Sequence, residues 1–180
     1  REFQRLYPTV TLRLHVEALG AVAALVIDRR ADVAIGGPVA ADCPELERQL
    51  AGSVELIQVA APSHPLARMQ TNAPGEARKH LQLVLTDRSP LTEGRDFSVT
   101  SPRSWRLADL GAKHVLLREG LGWGNMPRHA VEDDLAAGTL VQLAVPEGPR
   151  FDFQLYALWR RDWLPGPAAC WMLSAFDEAL

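Results

Sequence analysis

The side chains able to do chemistry are scattered along the chain. Ser89, Ser101 or Ser104 with His114 or His129 and an aspartate would supply a nucleophile and its base. No GxSxG elbow surrounds any of these serines, and they lie in proline-rich stretches where serine is ordinary turn chemistry. The five histidines, His15, His64, His80, His114 and His129, never adopt HxxxH or another close ligand spacing, so no metal site is read. His114 follows Leu110 by four residues on a helical pattern and reads as a partly buried, satisfied histidine. Glu132, Asp133 and Asp134 form an acidic run at a helix start, where compensation of the helix dipole accounts for them. Cys43 and Cys170 are far apart, without CxxC spacing, and read as two reduced thiols. "GLGWG" (120–124) follows a helix and lacks the GxGxxG order between strand and helix, so no dinucleotide loop is expected. Neither a catalytic set nor a cofactor follows from these residues.

Binding chemistry reads better. Thr86, Arg88, Thr100, Ser101 and Asp109 follow strands or open a helix, where hydroxyls, a cation and free backbone N–H groups can hold an anion. The helix opening at Asp109 is the best local anion site, although a capping carboxylate already fills part of it. Trp105 and Trp123 each stand at a strand edge beside a loop and offer a stacking surface, whereas Trp159, Trp163 and Trp171 read as core or interface. The glycines around Trp123 serve a helix stop and a strand entry, and they also let backbone approach a ligand.

The elements that must position these residues alternate. "VTLRLHVE" has the period-2 pattern of a half-buried strand, "GAVAALVIDRRAD" that of a helix, and "DVAIGG" that of a short buried strand. "VELIQVAA" is a further strand. "APSHPLARMQTNAPGEARKH" then changes texture to prolines, small residues and charges, as a connection does. A second cycle follows: strand "LQLVLTD", a loop from Arg88 to Arg95, strands "FSVTS" and "SWRLA", and a helix with Asp109 as N-cap and Gly120 at its left-handed end. Next come strand "LGWGNM", helix "PRHAVEDDLAAG" with Pro127 near its first turn and Gly138 at its end, and strand "TLVQLAV". After "PEGPR" the strand "FDFQLYALW" places Phe151, Phe153, Leu155, Ala157 and Trp159 on one face. The last helix, "GPAACWMLSAFDEAL", carries Ala169, Leu173, Phe176 and Leu180 along one stripe.

Strands alternating with helices predict an α/β fold with parallel sheet. A chain that leaves one unit and later returns predicts two Rossmann-like lobes joined by a two-strand hinge. The expected division is lobe I over 1–59 and 146–180, lobe II over 60–145, with a ligand crevice between them. Composition narrows the partners: 180 residues, 47% hydrophobic and 23% charged, net charge −3, leave no basic field for DNA or RNA. No apolar run approaches the roughly 18 to 20 residues of a membrane span. The chain opens at "REFQRLYP", which reads as a helix end in a fragment of a longer cytoplasmic protein.

The order of "LYPTVTLRL", "RRADVAIGG", "VAAPSHPLA", "LLREGLGWGNMP", "DDLAAGTLVQL" and "PGPAACWMLSAF" resembles the effector-binding domain of LysR-type transcriptional regulators, over nearly the whole chain. The resemblance implies a periplasmic-binding-protein-like (type II) pair of lobes with a small-molecule effector between them, and no enzymatic activity. It also implies a winged helix-turn-helix and linker helix preceding the chain, through which DNA would be bound, and pairing of effector domains into dimers and tetramers. A first strand with a Ser/Thr-bearing turn, expected before "FQRLYP", is missing. Matched positions are Ala61 and Pro62 at the hinge, Thr86 and Arg88 after a strand, Ala108 and Asp109 at a helix start, and Trp123, Gly124 and Asn125. These, with Trp105, are the expected effector contacts, and Arg88 permits a carboxylate effector. A transport-type solute-binding protein of the same fold is the alternative, and it would carry a signal peptide.

Overall fold

The computed structural model describes residues 1–69, 73–146 and 152–176. In chain order the elements are α1 (Glu2–Leu6), α2 (Gly20–Ile27), β1 (Val33–Gly36), α3 (Pro38–Ala41), β2 (Leu46–Ala60), α4 (Pro65–Arg68) and β3 (Gln82–Leu85). They continue as β4 (Ser104–Leu107), α5 (Leu110–Arg118), β5 (Trp123–Pro127), α6 (Glu132–Ala137), β6 (Val141–Gln142), β7 (Asp152–Arg160) and α7 (Pro167–Ser174). Two compact units result. Unit 1 takes Arg1–Ser53, Arg88–Glu93 and Gln154–Leu180, and unit 2 takes Val54–Asp87 and Gly94–Phe153. The division falls inside the single strand β2, between 53 and 54, and not at 59/60 where the change of texture suggested it. Because β2 runs unbroken for 15 residues, no turn marks the crossing in the sequence. The expected break over 147–150, Phe151 and Leu180 lie outside the described residues.

In unit 1 the strand order is β1, β7, β2. β1 runs antiparallel to β7, with Val33 opposite Trp159 and Gly36 opposite Tyr156. Its core is Ala23, Val26, Ala40, Ala41, Leu46 and Leu158. Small residues let α2 and α3 approach the strand closely, since a Cβ on Gly36 would stand 3.0 Å from the Ala40 Cβ and 3.1 Å from Val22 Cγ1. α1 is tied to α7 by Phe3, Tyr7 and Trp171, and the Tyr7 hydroxyl donates to the Pro167 carbonyl at 3.1 Å. The 3-10 turn Pro90–Thr92 packs against α2, so the segment from Arg88 joins this unit.

One expectation fails here. Residues 10–17 form no strand, and Leu12, Leu14 and Val16 stand exposed. Alternation marks out an apolar face, but a strand also needs a neighbour to share its ladder. β1 is terminal in the strand order, and this segment does not pair with it.

In unit 2, β2 is flanked by β6 and β5, and the order continues through β3 to β4 at the edge. β5 runs antiparallel to β2, with Leu56 opposite Pro127 and Ala60 opposite Trp123. β3 is parallel to both β4 and β5. α5 covers one face through Leu117 and Leu110, in a core with Ile57, Val59, Leu83 and Met126. The other face carries Ala60 and Trp123, packed with Leu66, Ala77, Leu143 and Val145.

Two further expectations are corrected. "FSVTS" is no strand: Ser98 has φ +56°, and the buried Gln82 side chain takes the bonds a ladder would have made. Its Nε2 donates to the Ser98 carbonyl, and its Oε1 accepts from the N–H groups of Thr100 and Ser101, all within 2.9 Å. Pro127 closes β5 instead of opening a helix. A 3-10 turn, Arg128–Ala130, intervenes before α6.

Candidate functional site

The parallel strands of unit 2 fix where candidate residues gather. β3 and β4 both end toward α5: the Thr86 N–H donates to the Leu107 carbonyl at 2.8 Å, and Ala108 and Asp109 follow at once. Asp109 caps α5 as expected, with Oδ1 accepting from the Ala112 N–H at 2.5 Å. Thr86, Ala108 and Asp109 are thus brought together at the carboxyl ends of parallel strands, where ligands of open α/β sheets bind. Asn125 lies along the parallel neighbour β5, and its Oδ1 is buried without a hydrogen-bond partner among the described residues.

Ala61 and Pro62 lie at the opposite end. Ala60 is opposite Trp123, and Trp123 is opposite Gln82, so the chain leaves β2 beside the amino ends of β3 and β5. The position a Cβ would take on Gly120, at the end of α5, confirms this, lying 3.1 Å from Ser63 Oγ and 3.6 Å from the Ala61 Cβ. The resemblance grouped Ala61 and Pro62 with Thr86 and Asp109, whereas antiparallel β2 carries them away. Thr100 and Ser101 are held at this amino end too, by Gln82 at the start of β3. Arg88 is exposed and starts the segment that packs with unit 1.

The tryptophans differ. Trp105, on edge strand β4, is about half exposed at 51%. Trp123 is fully buried, and its ring is a core element. The glycines around it are fixed by sterics: a Cβ on Gly122 would meet the Leu81 carbonyl oxygen at 2.7 Å, and one on Gly124 the Leu83 carbonyl oxygen at 2.6 Å. "GLGWG" is therefore a place where β5 and β3 approach backbone to backbone, in addition to the helix stop at Gly120, φ +75°.

Two polar features escaped the sequence reading. The first is Lys113, buried on the sheet side of α5, whose Nζ donates to the Asn125 carbonyl at 2.6 Å. Burial pushes its ammonium down to about 8. An i, i+4 pattern with Leu117 was the available signal. The second is Asp134. It does not merely face the α6 dipole: it accepts from Thr139 Oγ1 at 2.6 Å, meets His114 Nε2 at 2.6 Å and lies 3.2 Å from Arg118 Nε. Those partners, Thr139 first, hold its carboxyl below the usual range.

Set beside known proteins, this architecture has a definite class, the two-lobe α/β fold of periplasmic-binding-protein type found in ligand-sensing regulatory domains. The chain belongs to the LysR substrate binding domain family, whose model matches residues 1–180. The HTH-type transcriptional regulator YeiE of Escherichia coli K12 is 32% identical over 161 residues, covering 86% of this chain and 52% of YeiE. The chain thus spans about half the length of that relative. Among solved structures, the CcmR regulatory domain of Synechocystis PCC6803 in complex with 2-PG superposes with TM-score 0.75 at 18% identity, covering 99% of this chain and 87% of that one. The effector-binding domain of QuiR in complex with shikimate gives 0.72 at 20% identity, covering 98% and 84%. At such identities the structural likeness speaks for the fold.

Proposed function

We propose that the chain is the effector-sensing part of a LysR-type, DNA-binding transcriptional regulator, and that unit 2 contributes effector contacts from the carboxyl ends of β3, β4 and β5. The observation that carries the site is the convergence of Thr86, Ala108 and Asp109 at one end of the parallel strands, with Asn125 on the adjacent strand. Two structural relatives hold small organic molecules, shikimate in QuiR and 2-PG in CcmR, and the capacity for such a ligand is extended here without its identity. DNA contact falls to a helix-turn-helix outside this chain, in keeping with a net charge of −3 and with the HTH-type relative. The reading is of a cytoplasmic, non-enzymatic regulator that acts as a homodimer or tetramer.

Sensing requires that the effector bind one conformational state better than another, since equal affinity shifts nothing. A thermal-shift screen against small carboxylates, aromatics and amino-acid-like metabolites tests the reading. A ligand of the native state at a hundredfold excess over its Kd adds about 2.7 kcal/mol of stability. A saturable rise in Tm is expected for at least one class, and a flat response across the panel would count against sensing.

A further inference from the structure

His64 holds the start of α4 with the nitrogen that acid would protonate. The residue is 6% exposed, and its Nδ1 accepts the Leu66 N–H at 3.2 Å. A ring nitrogen that accepts a hydrogen bond carries no proton, so the neutral ring has its proton on Nε2 and a second one can go only to Nδ1. Protonation and the cap therefore exclude one another. Burial first, and the neighbouring His80 second, hold the His64 pKa down at about 4.

The surroundings offer a His64 cation no relief. His80 ends the 3-10 turn Glu76–Lys79, and its ring meets His64 edge to face with centroids 5.3 Å apart. Its Nε2 is buried without a hydrogen-bond partner among the described residues, with Glu76 Oε1 lying 3.7 Å away. The backbone here is pinned, since Ser101 Oγ lies 2.8 Å from the His80 carbonyl and 3.0 Å from that of Arg78. Glu76 Oε2 is taken by Lys79 Nζ at 2.6 Å, and Arg103 Nη1 donates to the Lys79 carbonyl at 3.2 Å. The remaining charges are Arg68 on α4 itself and Glu119, next to Gly120, whose added Cβ would lie 3.1 Å from Ser63 Oγ. Of all these groups only His80 bears on the charge of His64, and among the described residues no carboxylate pairs with it.

We propose that His64 and His80 form an acid-released latch on the chain leaving β2. A proton on His64 Nδ1 displaces the Leu66 N–H, the two rings repel, and the stretch 61–68 opens while the pinned 3-10 turn stays in place. The full burial of Leu66 opposes this opening, so the release is graded with pH rather than complete at one value. The device goes beyond effector sensing and does not depend on it, because Thr86 and Asp109 lie at the other end of the strands.

The test is NMR of the 15N-labelled chain from pH 7 to pH 5, reading the histidine ring nitrogens together with amide exchange corrected for its intrinsic pH dependence. At pH 7 His64 should show the Nε2–H tautomer. Protection of the Leu66 and Ala67 amides should fall roughly twentyfold between pH 7 and pH 5, because the opened stretch, with the ordinary value of 6.5 against about 4, binds the proton more tightly. His64→Asn keeps a capping acceptor that does not titrate, and its loss should stay below about twofold. His80→Gln removes the second ring's charge and should show a smaller loss than the parent. An Nδ1–H tautomer, constant protection in the parent, or a loss equal to the parent's in either folded variant overturns the proposal. Should the variants not fold, the tautomer and the parent's exchange decide it alone.

Discussion

Gly124 and Lys113 are fitted to one another. A Cβ on residue 124 would stand 3.1 Å from Lys113 Cε and 2.6 Å from the Leu83 carbonyl oxygen, and the second contact is with backbone that cannot swing aside. Gly124→Ala should therefore destabilise by at least about 1–3 kcal/mol, the usual range for overpacking. Urea denaturation reads this directly. A variant as stable as the parent would mean that β3 and β5 lie further apart than described.

Lys113 sets a pH dependence of known sign. Its native pKa, about 8, lies below the 10.5 of an unperturbed lysine. Between those values the unfolded chain holds a proton the native chain lacks, so this group makes stability rise with pH across that window. Below pH 8 the full cost applies, about 3 kcal/mol at 1.36 kcal/mol per unit. Lys113→Met removes that cost and also the charge-assisted bond to the Asn125 carbonyl, worth about 1.5–3 kcal/mol. The variant's stability relative to the parent should therefore be greatest at pH 7 and decline toward pH 10.5. Denaturation curves for both proteins at pH 7, 9 and 10.5 check this, and a relative stability that grew with pH would refute it.

Asp134 acts in the opposite sense. Its carboxyl is held low by Thr139 first and then by His114 and Arg118. The stability it contributes is complete above the ordinary aspartate range and is lost as pH falls through the lowered native value. Asp134→Asn should cost about 1–3 kcal/mol at neutral pH, as for charged hydrogen bonds left half-made. It should also flatten the acid limb of the stability profile, a feature visible in melting temperatures taken from pH 7 to pH 3.

Trp123→Ala should unfold the protein's unit 2 core more than it alters any ligand contact. The ring is fully buried among Ala60, Leu66, Ala77, Leu143 and Val145, and truncating such a residue costs about 3–5 kcal/mol. Trp105→Ala, at an exposed edge position, should cost less than about 1 kcal/mol. Equilibrium denaturation of the pair separates a core tryptophan from a surface one.

Gln82→Leu should free the 98–101 segment while leaving β3 in place. Three hydrogen bonds from one buried amide hold that segment. Hydrogen exchange at the Thr100 and Ser101 amides should accelerate markedly, and unchanged protection there would show that the turn holds itself.

Local signals were legible in the sequence wherever a single residue dictates its own backbone. Asp109 capped the helix it was expected to cap, Gly120 took the left-handed position expected of it, and Gly138 ended α6 as expected. Features that depend on a partner far along the chain were not legible. Alternation over Val10–Glu17 could not announce that no neighbouring strand would pair with it. "FSVTS" looked extended because nothing local shows that Gln82, sixteen residues before Ser98, captures its backbone. The site divided for the same reason: the antiparallel course of β2 places Ala61 and Pro62 at the end of the sheet opposite Thr86, a fact of topology. The burial of Lys113 has no local mark, because the room for its stem is made by Gly124 on another element.

The most direct test of the effector-sensing account is hydrogen–deuterium exchange of the chain with and without the strongest ligand from the thermal screen. Protection is predicted at Thr86–Asp87, Asp109–Lys113 and Gly124–Met126, the carboxyl ends of β3 and β4 with the matching stretch of β5. Protection confined to 61–67 and 98–101, at the other end of the same strands, would contradict it.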